Sequence, residues 1–148
     1  MQDAARMPIL AGAVLFLFGL IEGALVQTFV NPRMALSAHL TAVQSGMALM
    51  IFGVVWRWTD LPALWSRVAR WAVTIGMYAL WIGLTLSAAT GAGESLPIAG
   101  AGYDAGPVAQ SAVSALVLGG SVAMTIGWVV LDLPLGPGAE VFMEAPTA

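Results

Sequence analysis

Four long apolar stretches, separated by short polar breaks, make up most of this chain. They run over about residues 8–30, 32–56, 68–90 and 107–131. Each exceeds the roughly 20 residues that a helix needs to cross the hydrocarbon of a bilayer. All are rich in Leu, Val, Ala and Gly, and none has a sharp amphipathic period. That is the pattern of helices with lipid on one side and other helices on the other. It predicts an all-α, integral membrane four-helix bundle forming a single domain over 1–131, followed by a flexible tail over 132–148.

The breaks carry their own signals. Asn31 is a helix N-cap residue with Pro32 at the first helical position, and Pro107 opens the fourth span in the same way. Pro134 and Pro137 stop the chain beyond it. The first span has the outline of a signal peptide, with Arg6 ahead of an apolar run. The run resumes after Glu22 and reaches Val30 with no clear small-residue cleavage site, so a retained helix is expected. Arginine sets the orientation. Arg6, Arg57, Arg67 and Arg70 share one side and only Arg33 lies on the other, which predicts cytoplasmic N- and C-termini. Trp56, Trp58, Trp65, Trp71 and Trp128 fall near that same interface, whereas Trp81 falls near the middle of its span.

Composition removes several chemistries. The chain is 59% hydrophobic and 9% charged, with mean hydropathy +0.89, against roughly 25% charged residues in soluble domains. It has no cysteine and a net charge of −3. There is no disulfide, thiolate metal site or cysteine nucleophile. A basic stripe for nucleic acid is missing as well.

Small residues predict how the helices meet. Ser111, Ala115, Gly119, Ala123 and Gly127 recur every four residues in the fourth span, Gly19 and Gly23 form a short GxxxG, and Ala38, Ala42 and Gly46 flank His39. Such stripes let helix backbones approach closely in lipid. They put His39 on or near a packed side.

Polar groups gather at similar depths. Counting about 1.5 Å per residue, Glu22 lies about 12 Å and His39 about 10 Å from the outer face. Trp81, Thr85, Gln110 and Ser114 come to neighbouring levels, and Gln44, Ser45 and Tyr78 lie near the middle. Ser and Thr in such places commonly bond their own helix carbonyls. A carboxyl group needs a partner or a proton, and His39, the chain's single histidine, is the first candidate partner for Glu22. Three readings of His39 stay open: a hydrogen-bonded packing residue, an axial haem or other metal ligand, and an acid/base group or substrate contact. A lone histidine cannot complete a zinc site, whereas haem iron can be held by one protein ligand. Without a Cys-x-x-Cys-His motif any haem would be b-type.

The run Asn31-Pro32-Arg33-Met34-Ala35-Leu36-Ser37-Ala38-His39-Leu40 resembles the signature of bacterial membrane-bound hydroxylaminobenzene mutases. Pro97-Ile98-Ala99-Gly100 and Tyr78-Ala79-x-Trp81 resemble that family more weakly. The resemblance implies a multi-pass enzyme of the bacterial inner membrane that moves a hydroxyl from nitrogen to ring carbon, giving 2-aminophenol. More distantly, the Ala38-His39 context resembles styrene oxide isomerase, a trimer whose matching histidine holds haem b and whose ferric iron acts as a Lewis acid. Where the family tends to carry Asn stand Ser45 and Leu80, and Glu22 is an acid the family pattern lacks.

The function expected is a redox-neutral rearrangement of a small aromatic compound in a homo-oligomer, a trimer by the resemblance. His39 is expected as haem ligand or acid/base group, and Glu22 as its partner or as general acid. Tyr78 and Trp81 would line an aromatic pocket, with Ser45 and Gln44 as substrate contacts. The alternatives are a haem-dependent epoxide isomerase and a non-catalytic membrane protein that binds a small molecule or partners a larger complex. A transporter is disfavoured because matched broken helices are missing.

Overall fold

A computed structural model describes residues 2–56, 59 and 61–132. Arg57, Trp58 and the expected tail beyond Asp132 lie outside the described residues. Four helices follow in order among the described residues, α1 Gln2–Leu25, α2 Pro32–Val55, α3 Ala63–Thr90 and α4 Pro107–Asp132, with a 3-10 turn at Val26–Thr28 after α1. All four are long and apolar enough to cross a membrane. Among the described residues there is no strand.

The predicted starts of the second and fourth spans are where the helices begin, because proline at the first helical position has no N–H to satisfy. Two other boundaries differ. The first helix starts at Gln2 and ends at Leu25, and the chain then tightens into the 3-10 turn. Pro8 therefore lies inside α1, fully buried. A proline near a helix start forfeits one backbone bond but does not end the helix. The third helix begins at Ala63, behind Pro62, ahead of the apolar run that marked it in the sequence.

α2 and α3 form the central pair, with α1 laid on α2 and α4 laid on α3. Glycine makes both outer pairs close. A Cβ on Gly12 would stand 2.5 Å from the Gly46 carbonyl, and one on Gly76 would stand 2.6 Å from the Met124 backbone nitrogen. The Gly19–Gly23 pair of α1 sits against Ala42, Val43 and His39 of α2, as its spacing predicts. The long stripe of α4 behaves differently. Ser111, Ala115 and Gly119 are exposed, while Val113, Val117, Gly120 and Gly127 are buried. A row with four-residue spacing drifts by about 40° per step on a 3.6-residue helix. Over the length of α4 it winds from the outer face to the packed one.

Two apolar clusters fill the interior. Leu15, Leu49, Phe52, Trp56, Val73 and Met77 belong to one, and Met34, Ala38, Leu84, Ala88, Val113 and Val117 to the other. Trp81 packs against both. Phe52 anchors the first through ring contacts with Trp56 at 5.0 Å and Trp128 at 5.6 Å.

The connection between α3 and α4 is clasped by the start of α2. Asn31 is fully buried. Its Oδ1 accepts from the Met34 N–H at 3.1 Å and its Nδ2 donates to the Ala99 carbonyl at 2.9 Å. Its backbone N–H donates to the Ala88 carbonyl at 2.9 Å. Arg33 donates to the Ala101 carbonyl and lies 5.8 Å from the centre of the Tyr103 ring. The connection leaves α3 through Gly91, whose φ of 81° is the left-handed conformation that glycine adopts without strain. The Asn-Pro-Arg run and the Pro97–Gly100 run, separate in sequence, are thus two halves of one structural tie.

Candidate functional site

Glu22 is buried, 5% exposed on α1, and is the buried acid among the described residues. Its partners come from α3. Trp81 Nε1 donates to Oε2 at 2.7 Å, and the Thr85 hydroxyl lies 2.9 Å from Oε1. The same hydroxyl lies 3.0 Å from the Trp81 carbonyl. A threonine has one proton to give. With Glu22 ionised, Thr85 donates to Oε1. With Glu22 protonated, the carboxyl donates to Thr85, which donates in turn to the Trp81 carbonyl. Each protonation state is hydrogen-bonded, so the carboxyl can give and take a proton without leaving a buried polar atom unpaired.

Aromatic rings surround this group. Phe18, one turn before Glu22 on α1, stacks on Trp81 with centroids 5.5 Å apart and planes 8° from parallel. Tyr78 meets Trp81 edge-on at 6.2 Å and donates its hydroxyl to the Ala11 carbonyl at 2.8 Å. Below the stack, a groove of about 440 Å³ is lined by Arg6, Met7, Leu10, Ala11, Val14 and Tyr78. A larger cavity, about 610 Å³, lies among the outer connections around Glu94, Gly100, Asp104 and Gln110, away from every residue expected in the site. Gln110, expected in the buried polar layer, belongs to that outer region, where its Oε1 accepts from the Glu94 N–H at 3.0 Å.

His39 is not the partner of Glu22. Its Nδ1 lies 2.7 Å from the Gly19 carbonyl, and its ring lies over Gly23, where a Cβ would stand 2.6 Å from Nδ1. The depths agree but the directions do not. Glu22 and Gly23 are neighbours in sequence and therefore about 100° apart around α1, one facing α3 and the other α2. A carbonyl only accepts, so Nδ1 carries the proton. Nε2 is the remaining ring nitrogen, without a hydrogen-bond partner among the described residues.

The other expected residues separate as well. Ser45 is buried, on the stripe of α2 that includes Ala38, Ala42, Leu49 and Phe52. Gln44 is exposed, on the outer stripe with Leu36, Leu40, Met47 and Ile51. The structure therefore joins Glu22, Trp81 and Tyr78 and leaves His39 and Gln44 outside that cluster. Phe18 was not singled out in the sequence, although its four-residue spacing from Glu22 put it on the same face.

A family model described as styrene oxide isomerase matches residues 4–133. The chain belongs to the styrene oxide isomerase family. Two curated relatives come from Ectopseudomonas oleovorans. Hydroxylaminobenzene mutase HabA is 37% identical over 122 residues, covering 82% of this chain and 90% of HabA. Hydroxylaminobenzene mutase HabB is 36% identical over 115 residues, covering 77% of this chain and 70% of HabB. No solved structure matches. The enzyme class expected from the sequence, an isomerase, is the class of these relatives.

Proposed function

We propose that this family member rearranges a small aromatic hydroxylamine, moving oxygen from nitrogen to the neighbouring ring carbon, as the names of its curated relatives suggest. The observation that carries the reading is the Glu22 carboxyl, buried beside an aromatic wall and hydrogen-bonded in either protonation state. A proton from Glu22 on the hydroxyl oxygen weakens the N–O bond. The positive charge that develops spreads over nitrogen and ring, where the faces of Trp81 and Tyr78 favour it. The N–O bond breaks, the water released adds to the ortho carbon and gives one proton back to Glu22, and the ring proton on that carbon moves to nitrogen, which becomes the amine. No electron is gained or lost overall, and the surrounding apolar side chains limit competing water.

The test is turnover of hydroxylaminobenzene by Glu22→Gln, Glu22→Asp and the parent protein. Loss of the proton-transfer group lowers kcat by about 10²–10⁴-fold, with partial recovery in Glu22→Asp. Full turnover by Glu22→Gln would end this reading.

One observation favours a second reading, a haem-dependent epoxide isomerase. Histidines that ligate metals almost always donate their other N–H to a carbonyl or carboxylate, and His39 makes this bond to Gly19. The residue fits a haem b ligand through Nε2, and the iron when bound supplies Lewis acidity. A haem absorption band that His39→Ala removes supports it, and a protein purified with full activity and no such band excludes it.

The orientation belongs to the same proposal. Arg6, Arg67 and Arg70 at one end of the bundle, against Arg33 at the other, favour cytoplasmic termini in the bacterial inner membrane. Self-association is supported by Gln44, an amide exposed on an otherwise apolar stripe, which a second copy would cover.

A further inference from the structure

Phe18 stands out among the residues that the mechanism does not use. Its ring lies nearly parallel on the Trp81 indole, yet it is 43% exposed on the outside of the bundle. A ring so placed can swing outward without emptying the packed interior. Behind it, the indole edge is fixed by the bond from Nε1 to Glu22. A flat molecule lying on that indole face would therefore bring a ring substituent toward the carboxyl. The groove along α1 leads to the same place. Val14 is one turn below Phe18, and Tyr78 is one turn below Trp81, so the groove lies one turn below the stack. Its lining is apolar apart from Arg6 and the Tyr78 hydroxyl, and its volume falls within the range of small-molecule sites.

Resting on the proposed chemistry at Glu22, we infer that Phe18 is the lateral gate of the site. Its ring holds the place on Trp81 that the aromatic ring of the substrate takes, and the substrate enters from the bilayer along the α1–α3 groove. Apolar aromatic compounds concentrate in hydrocarbon, so a side entrance meets them where they are most abundant. Phe18 competes with the incoming ring for one indole face. Removing the competitor frees a stacking interaction, which corresponds to a gain of about two- to tenfold in affinity.

The experiment uses nitrobenzene, an unreactive flat aromatic that quenches indole fluorescence on contact. Saturable quenching is measured on the purified full chain, on Trp81→Phe and on Phe18→Ala. The expected result is a saturable component that disappears in Trp81→Phe and tightens about two- to tenfold in Phe18→Ala. In turnover assays Phe18→Ala lowers KM by a similar factor with kcat unchanged. Phe18→Leu keeps apolar bulk without a flat ring and carries the same expectation if Phe18→Ala does not fold. Equal quenching constants in the parent and Phe18 variants, or quenching indifferent to Trp81, would overturn the gate. If the quenching behaves as expected but neither protein turns over hydroxylaminobenzene, the gate stands and the proposed reaction falls.

Discussion

Replacing Asn31 tests whether the most distinctive run of the sequence holds the outer connection in place. The side chain is fully buried and makes two bonds, accepting from the Met34 N–H and donating to the Ala99 carbonyl. Losing the cap costs about 1 kcal/mol. Losing the donor to the partly buried Ala99 carbonyl costs roughly 1–3 kcal/mol more. Asn31→Ala should therefore destabilise the fold by about 2–4 kcal/mol, a fall in Tm of roughly 5–12 °C. Asn31→Ser separates the two terms. Serine is a good N-cap but is too short to span to Ala99, so it should lose the tie and keep the cap, at about half to three-quarters of the total cost. Thermal unfolding in detergent measures both, and limited proteolysis shows whether the connection over 91–106 has opened. Asn31 makes no hydrogen bond to the Glu22 cluster, so Asn31→Ser should keep kcat within about twofold of the parent. Equal destabilisation by Ala and Ser, with no new cleavage between α3 and α4, would refute the two-bond account.

Three further outcomes follow from the same geometry. Thr85→Val removes the hydroxyl that serves Glu22 in both protonation states, so kcat should fall by at least about tenfold while Thr85→Ser restores most of it, and an unchanged rate would remove Thr85 from the proton path. Gly12→Leu places side-chain atoms against the Gly46 carbonyl and should lower stability by about 3 kcal/mol or more, whereas Gly119→Leu, which meets nothing within 4 Å, should be tolerated by the single chain; similar Tm values for the two would contradict the packing described. His39→Phe removes the bond to Gly19 and enlarges the ring over Gly23, and should destabilise the α1–α2 pair by roughly 1–3 kcal/mol in thermal unfolding, with no loss expected if the ring merely faced lipid.

Much of this protein was legible without coordinates. The four helices, the cap at Asn31, the helix start at Pro107, and the GxxxG contact of α1 follow from local chemistry and composition. The polar layer was legible too, since Glu22, Trp81 and Thr85 do meet. Its pairing was not. Glu22 was expected to face His39, and it bonds α3 instead. The stripe on α4 was expected to pack along its length, and its first half faces outward. Both differences have one physical origin, rotation around the helix axis.

Depth is a one-dimensional quantity. It accumulates at about 1.5 Å per residue, so the sequence determined which groups share a level and which family motif surrounds His39. Direction accumulates at about 100° per residue and acquires meaning only when the neighbouring helices are known. Close glycine contacts between α1 and α2 fix the rotation of α1, sending Gly19 and Gly23 toward His39 and Glu22 toward Trp81. Only the tertiary structure could decide that rotation. It divides two ionisable groups of equal depth between separate helix interfaces, because a side chain can bond only to the helix it faces.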